Sequence, residues 1–162
     1  MRDALRIAAL GMAVWAGCGL RAVPMYRDPT PTIEASLPVV DRDGLLSELS
    51  LYLGTPYREG GNSLSGIDCS GLARAVYGPL GVRLYRRVID QYGQGLPISR
   101  RNLGTGDLVF FGKGGTPSHV GIAVSGSQMT HSSSSKGVVV EDIDEFSRSM
   151  KLLGIRRVAK VR

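Results

Sequence analysis

Between Asp41 and Tyr92 the apolar residues of this chain recur at helical spacing, and after Gly106 they alternate as strands do. Leu45, Leu46, Leu49, Tyr52 and Leu53 share one face of a helix that Asp41 or Asp43 can cap and that Gly54 and Pro56 stop. A second helix is expected to open at Cys69, with Asp68 as its cap and Leu72, Ala73, Val76 and Tyr77 as its buried stripe; Gly78-Pro79 ends it. A short third helix covers Val88 to Tyr92. Asp107 to Phe111, His119 to Val124, Gln128 to His131 and Val138 to Val140 read as strands, and Leu152 to Val158 closes the sheet. Residues 112–118 read as a turn, and Ser132 to Ser135 as a loop. In the second of those strands His119, Gly121 and Ala123 share one face, and Val120, Ile122 and Val124 the other. Helices first and antiparallel strands afterwards define an α+β domain and exclude a doubly wound sheet.

The 162 residues are enough for one ordinary core plus spare chain, and the spare chain is N-terminal. Arg2 and Arg6 precede an apolar run from Ile7 to Ala16, broken only by Gly11. A membrane-spanning helix needs about 20 apolar residues, so this run has the length of a signal peptide's apolar region. Trp15-Ala16-Gly17-Cys18 resembles the lipobox of bacterial lipoproteins, with Trp15 where Leu is usual. The resemblance implies cleavage after Gly17 and acylation of Cys18; the alternative is a plain secretory signal that leaves Cys18 a free thiol. Residues 1–17 are therefore expected to be a signal peptide. Residues 18–39, with Pro24, Pro29, Pro31 and Pro38, are expected to form a tether, and residues 40–162 the folded unit. Gly19 is not the Asp associated with inner-membrane retention. The expected place is thus exported and lipid-anchored, on the periplasmic face of the outer membrane in a Gram-negative source. The net charge of +6 is spread over single residues and Arg-Arg pairs, which argues against nucleic acid as a partner and suits anionic wall polymers or lipid headgroups.

Cys69 is the chemical question. If Cys18 is acylated, Cys69 has no intramolecular disulfide partner. A cysteine is often a small packing hydrophobe. Cys69, however, sits at the polar start of its helix, where unpaired N–H groups and the helix dipole favour a thiolate and an oxyanion. The chain has two histidines, His119 and His131, both in its strand half. His119 opens its strand in this reading, and an antiparallel neighbour can set His131 beside it. Nucleophile, base and orienting group then make a thiol acyl-transfer site. A Cys/His/His zinc site is disfavoured, because short metal-ligand pairs and a fourth ligand are missing.

Five motifs in order resemble the NlpC/P60 cysteine peptidases: Gly54-Thr55-Pro56-Tyr57-Arg58-x-Gly60-Gly61, Gly66 to Leu72, Gly106 to Phe111, Ser118 to Ile122, and Met129 to Val138. The resemblance covers about residues 45–158 and implies a papain-like fold that hydrolyses peptide bonds in peptidoglycan stems. It implies Cys69, His119 and His131 as the catalytic set, with Tyr57 near the thiol as oxyanion help. Asp68 and Ser70 would border the stem-peptide site, and Arg86 lies in a segment facing the substrate groove in relatives. That segment, Leu84-Tyr85-Arg86-Arg87, departs from the family's L-P-R-[ST], which leaves peptide preference open. No cofactor or metal is implied, and a monomer is expected. The rival readings are a catalytically silent peptidoglycan-binding lipoprotein and a transglutaminase-like acyltransferase. The latter commonly has an acidic third group, for which Asp144 and Glu145 lie too far past the motif.

Overall fold

The structure, a computed structural model, describes residues 36–162. The signal segment, Cys18 and the tether as far as residue 35 lie outside the described residues.

Among the described residues the first strand starts at Val39, one residue before the expected boundary of the folded unit. Strand β1 (Val39–Val40) pairs in parallel with β10 (Lys160–Val161), so the end of the assigned tether is stitched to the C-terminus. Helix α1 (Arg42–Tyr52) is capped by Asp41, whose carboxylate accepts the Gly44 N–H at 2.8 Å; Asp43 lies in its first turn. Leu45 and Leu49 are buried, whereas Leu53 falls past the helix end and is exposed. A small hairpin follows, β2 (Asn62–Ser63) with β3 (Gly66–Ile67), and leads directly into α2 (Cys69–Tyr77). The stripe Leu72, Ala73, Val76 and Tyr77 is buried as expected, and the Tyr77 hydroxyl donates to the Gly106 carbonyl. Helix α3 (Val88–Tyr92) has the expected limits.

Six strands form the main sheet in the order β4-β9-β5-β6-β7-β8, every neighbouring pair antiparallel. They are β4 (Leu96–Ile98), β5 (Leu108–Lys113), β6 (Thr116–Ala123), β7 (Gln128–Ser133), β8 (Gly137–Asp142) and β9 (Lys151–Arg157). Leu108, Phe110, Val120 and Ile122 pack one core with α1 and α2. Val109, Phe111, Ala123, Met129 and Ile155 pack a second core on the opposite face, closed by Ile143 of α4 (Ile143–Phe146). Strand β4 and helix α4 were not expected from the sequence; three and four residues are too few for either periodicity to register.

Two expected loops are partly strand. The turn read over 112–118 shrinks to Gly114-Gly115, both at positive φ (57° and 81°), the backbone that a tight two-residue hairpin needs. Strand β6 therefore starts at Thr116, so His119 lies inside the strand rather than opening it. A bulge follows from the register: Phe111 faces His119 while Gly112 faces Pro117, leaving Ser118 without an opposite residue. Ser132 and Ser133, read as loop, belong to β7, because backbone pairing to β8 outweighs their turn preference.

Candidate active site

Asp68 caps α2 and places Cys69 as its first residue. Its carboxylate is fully engaged. Oδ1 accepts from Gly71 N–H at 2.6 Å, Arg86 Nη1 at 3.0 Å and the Ser70 hydroxyl at 3.2 Å. Oδ2 accepts from Arg86 Nη2 at 2.6 Å and Gly60 N–H at 3.0 Å. Burial opposes this charge, but the Arg86 guanidinium and the Gly71 N–H hold the carboxyl below its ordinary range. Arg86 Nη1 also donates to Ser70 Oγ at 2.8 Å. Asp68, Ser70 and Arg86, read from sequence as substrate-site candidates, thus form one cluster beneath the start of the helix, with the Arg86 side chain 36% exposed.

The glycines of the motif are explained by packing. A Cβ on Gly71 would stand 2.3 Å from the Gly61 carbonyl oxygen, and one on Gly61 would stand 2.4 Å from that of Gly66. The loop ahead of α2 is pressed against the helix, and only glycine permits it. Tyr57 enters through a bridge to Ile67, and its flanks are tied by Ile67 N–H to the Pro56 carbonyl and Arg58 N–H to the Ile67 carbonyl. Its hydroxyl is pushed up, by burial first and then by the fields of Cys69 and Asp68. That places it within electrostatic reach of the thiol.

On the sheet side, β6 and β7 pair only over Ile122–Ala123 and Met129–Thr130 and then part. The start of α2 meets the two strands where they diverge. The Val120 N–H lies within electrostatic reach of the Cys69 sulfur, and the Ser132 hydroxyl donates to the Ile67 carbonyl at 2.8 Å. The thiol therefore rests against the residue that follows His119. Gly121 serves this region too, since a Cβ there would meet Met129 Sδ at 2.5 Å.

His119 Nε2 lies 2.8 Å from His131 Nδ1, and His131 Nε2 lies 2.9 Å from Glu141 Oε2. Phe146 stacks on His119 (ring centroids 5.3 Å apart, 27° between planes) and meets the edge of His131 at 4.9 Å. Burial pushes His119 down to about 4, with His131 adding to the effect and Glu141 opposing it; burial also lowers His131. Cys69 is only 8% exposed, and burial raises its thiol despite the N–H groups of Val120, Ser70 and Cys69 itself. Burial thus opposes the thiolate that the helix start favours, and it opposes the charged forms of both imidazoles as well.

Sequence reading missed Glu141 and Phe146. Phe146 rides on the unforeseen α4. Glu141 follows from the β7–β8 register alone: His131 faces Val139, and Glu141, two residues further on the same face, becomes its diagonal neighbour. Cys18, the remaining candidate, lies outside the described residues.

A helix-borne cysteine wedged against a histidine-bearing antiparallel sheet is the arrangement of papain-like domains. The NlpC/P60 family model matches residues 54–157, and this chain belongs to the NlpC/P60 family. It is 38% identical over 102 residues (62% of this chain, 54% of the relative) to the murein DD-endopeptidase MepS/murein LD-carboxypeptidase of Escherichia coli K12. It is 34% identical over 146 residues (88% of this chain, 92% of the relative) to a "probable endopeptidase NlpC" of the same strain. The chain spans about half the length of the first of these. Among solved structures, the NlpC/P60 domain of the peptidoglycan hydrolase SagA superposes with a TM-score of 0.65 at 32% identity, over 73% of this chain and 99% of that one.

Proposed function

We propose that this domain hydrolyses peptide bonds in peptidoglycan stem peptides or cross-links through an acyl-enzyme on Cys69. The observation that carries the reading is Cys69 at the buried start of α2, near Val120, the residue that follows His119, whose ring is hydrogen-bonded to that of His131. The family membership and the names of the relatives support the substrate class.

The steps start from the uncharged thiol and imidazole that burial favours. As Cys69 Sγ attacks the substrate carbonyl carbon, its proton passes to His119, which acts as a general base. The resulting oxyanion is met by N–H groups at the start of α2, with Tyr57 alongside. The C–N bond breaks as His119 returns the proton to the leaving amine. Water, deprotonated by His119, then attacks the thioester; the C–S bond breaks, and the proton goes back to sulfur. His131 holds the His119 ring in place throughout.

The test is to incubate detergent-solubilised full chain with purified muropeptides under reducing conditions and to weigh the products. Peptide cleavage that disappears in Cys69→Ala is the expected result. Intact muropeptides with a folded chain would sink the reaction and favour a silent binding protein, whereas transfer of the acyl group to an added amine would favour an acyltransferase.

We also propose that Cys18 carries the lipid that anchors the protein, from the Trp15-Ala16-Gly17-Cys18 run. Palmitate labelling should vanish in Cys18→Ser; labelling that persists would refute the anchor.

A further inference from the structure

We infer that Glu141 is a positioning residue that, through His131, fixes which nitrogen of His119 is free to act as the base. The inference rests on the proposed role of His119. His119 presents Nε2 to His131, so only Nδ1 remains to take the proton of Cys69. A neutral imidazole carries one proton, and a base needs its working nitrogen bare. His119 must therefore be protonated on Nε2 and donate to His131 Nδ1. His131 must in turn carry its own proton on Nε2.

Nothing in a histidine pair chooses that direction, because the reverse arrangement makes the same hydrogen bond. Glu141 chooses it. Its carboxylate can only accept, and at 2.9 Å from His131 Nε2 it requires the proton there. The carboxylate stays ionised through Lys136, whose ammonium donates to the other oxygen, Oε1. The His131 side chain is 1% exposed, so water cannot substitute freely on its ring. Glu141, at 23%, lines the wall of a groove with Lys136, Glu145 and Phe146.

Lys136 sharpens the consequence for one substitution. In Glu141→Gln the amide oxygen stays with the Lys136 ammonium, so the –NH2 turns towards His131 Nε2. An amide donor there forces the proton of His131 onto Nδ1 and that of His119 onto its own Nδ1. The relay is inverted, and the base is blocked.

The chain's only two histidines are these two, so a 15N-histidine spectrum of the full chain contains just the rings concerned. Both are expected as Nε2–H forms in the unsubstituted protein. Glu141→Gln should convert both to Nδ1–H and lower kcat on muropeptides by about two orders of magnitude, with KM little changed. Glu141→Ala should lose less than Glu141→Gln, since it offers no donor. Lys136→Met added to Glu141→Gln should recover part of kcat by freeing the amide to flip. Unchanged tautomers in Glu141→Gln, or inverted tautomers with full kcat, would overturn the inference. If Glu141→Gln does not fold, the Nε2–H forms in the unsubstituted protein and their loss of preference in Glu141→Ala decide it. Failure of the unsubstituted chain to cut muropeptides would count against the proposed reaction alone, because the tautomers are read without substrate.

Discussion

Arg86 grips both carboxylate oxygens of Asp68, Nη2 to Oδ2 at 2.6 Å and Nη1 to Oδ1 at 3.0 Å, across 18 residues of sequence. The pair joins the segment before α3 to the cap of α2. Arg86→Met leaves a buried carboxylate with only neutral donors. We expect it to cost about 1–2 kcal/mol, below the full value of charged hydrogen bonds because the guanidinium is partly exposed and screened. Arg86→Lys should not restore the loss, since an ammonium cannot bind both oxygens in the plane of a fork. Urea unfolding of the three proteins checks this; equal midpoints would show that the pair is dispensable.

Gly71 packs against the Gly61 carbonyl so closely that a Cβ would stand 2.3 Å from it. Gly71→Ala must push the loop off the helix start and is expected to destabilise the fold by about 1–3 kcal/mol. Cleavage should fall more than stability, because the displaced backbone carries Cys69. Ala at Gly126, where nothing stands within 4 Å of the added carbon, is the control. A Gly71→Ala protein that melts and cleaves normally would contradict the packing argument.

The buried imidazoles make stability depend on mild acid. His119 is harder to protonate folded (about 4) than unfolded (about 6.5), so the unfolded chain binds the extra proton between those values. Stability is complete above about pH 6.5 and is lost as pH falls towards 4, with a slope of at most about 1.4 kcal/mol per pH unit for this one group. Melting temperatures from pH 7.5 to 4 should decline accordingly, and less in His119→Gln. A flat profile in both proteins would show that the rings are hydrated.

Cys69 should react as a buried thiol when no substrate is bound. Burial raises it above the ordinary thiol range of about 8.5. In a Cys18→Ser chain the iodoacetamide rate should still be climbing above pH 9. A plateau near pH 6 would instead reveal a resting thiolate–imidazolium pair, and His119 would then start the reaction as an acid.

Much of this was legible in the residues because the signals are local. Asp68 before Cys69 reads as a cap, the stripe Leu72, Ala73, Val76 and Tyr77 fixes which side of α2 is buried, and Gly-Gly at 114–115 marks the hairpin. The extent of that hairpin was misjudged because turn composition flanks it on both sides, whereas ladder hydrogen bonds decide where β6 begins. Strand β4 and α4 escaped because elements of three or four residues are held by their neighbours and not by their own pattern.

By itself the sequence determined the helical and stranded halves, the capped cysteine and the pair of histidines, since each depends on residues a few positions apart. The tertiary structure alone decided how those groups meet. It parted β6 from β7 so that α2 could enter, clamped Asp68 with Arg86, and brought Glu141 diagonally behind His131. It also set burial against the thiolate that the helix start favours. Proximity in the chain puts Cys69 at a helix start, but burial is a property of the whole packed domain, and here desolvation outweighs the helix end.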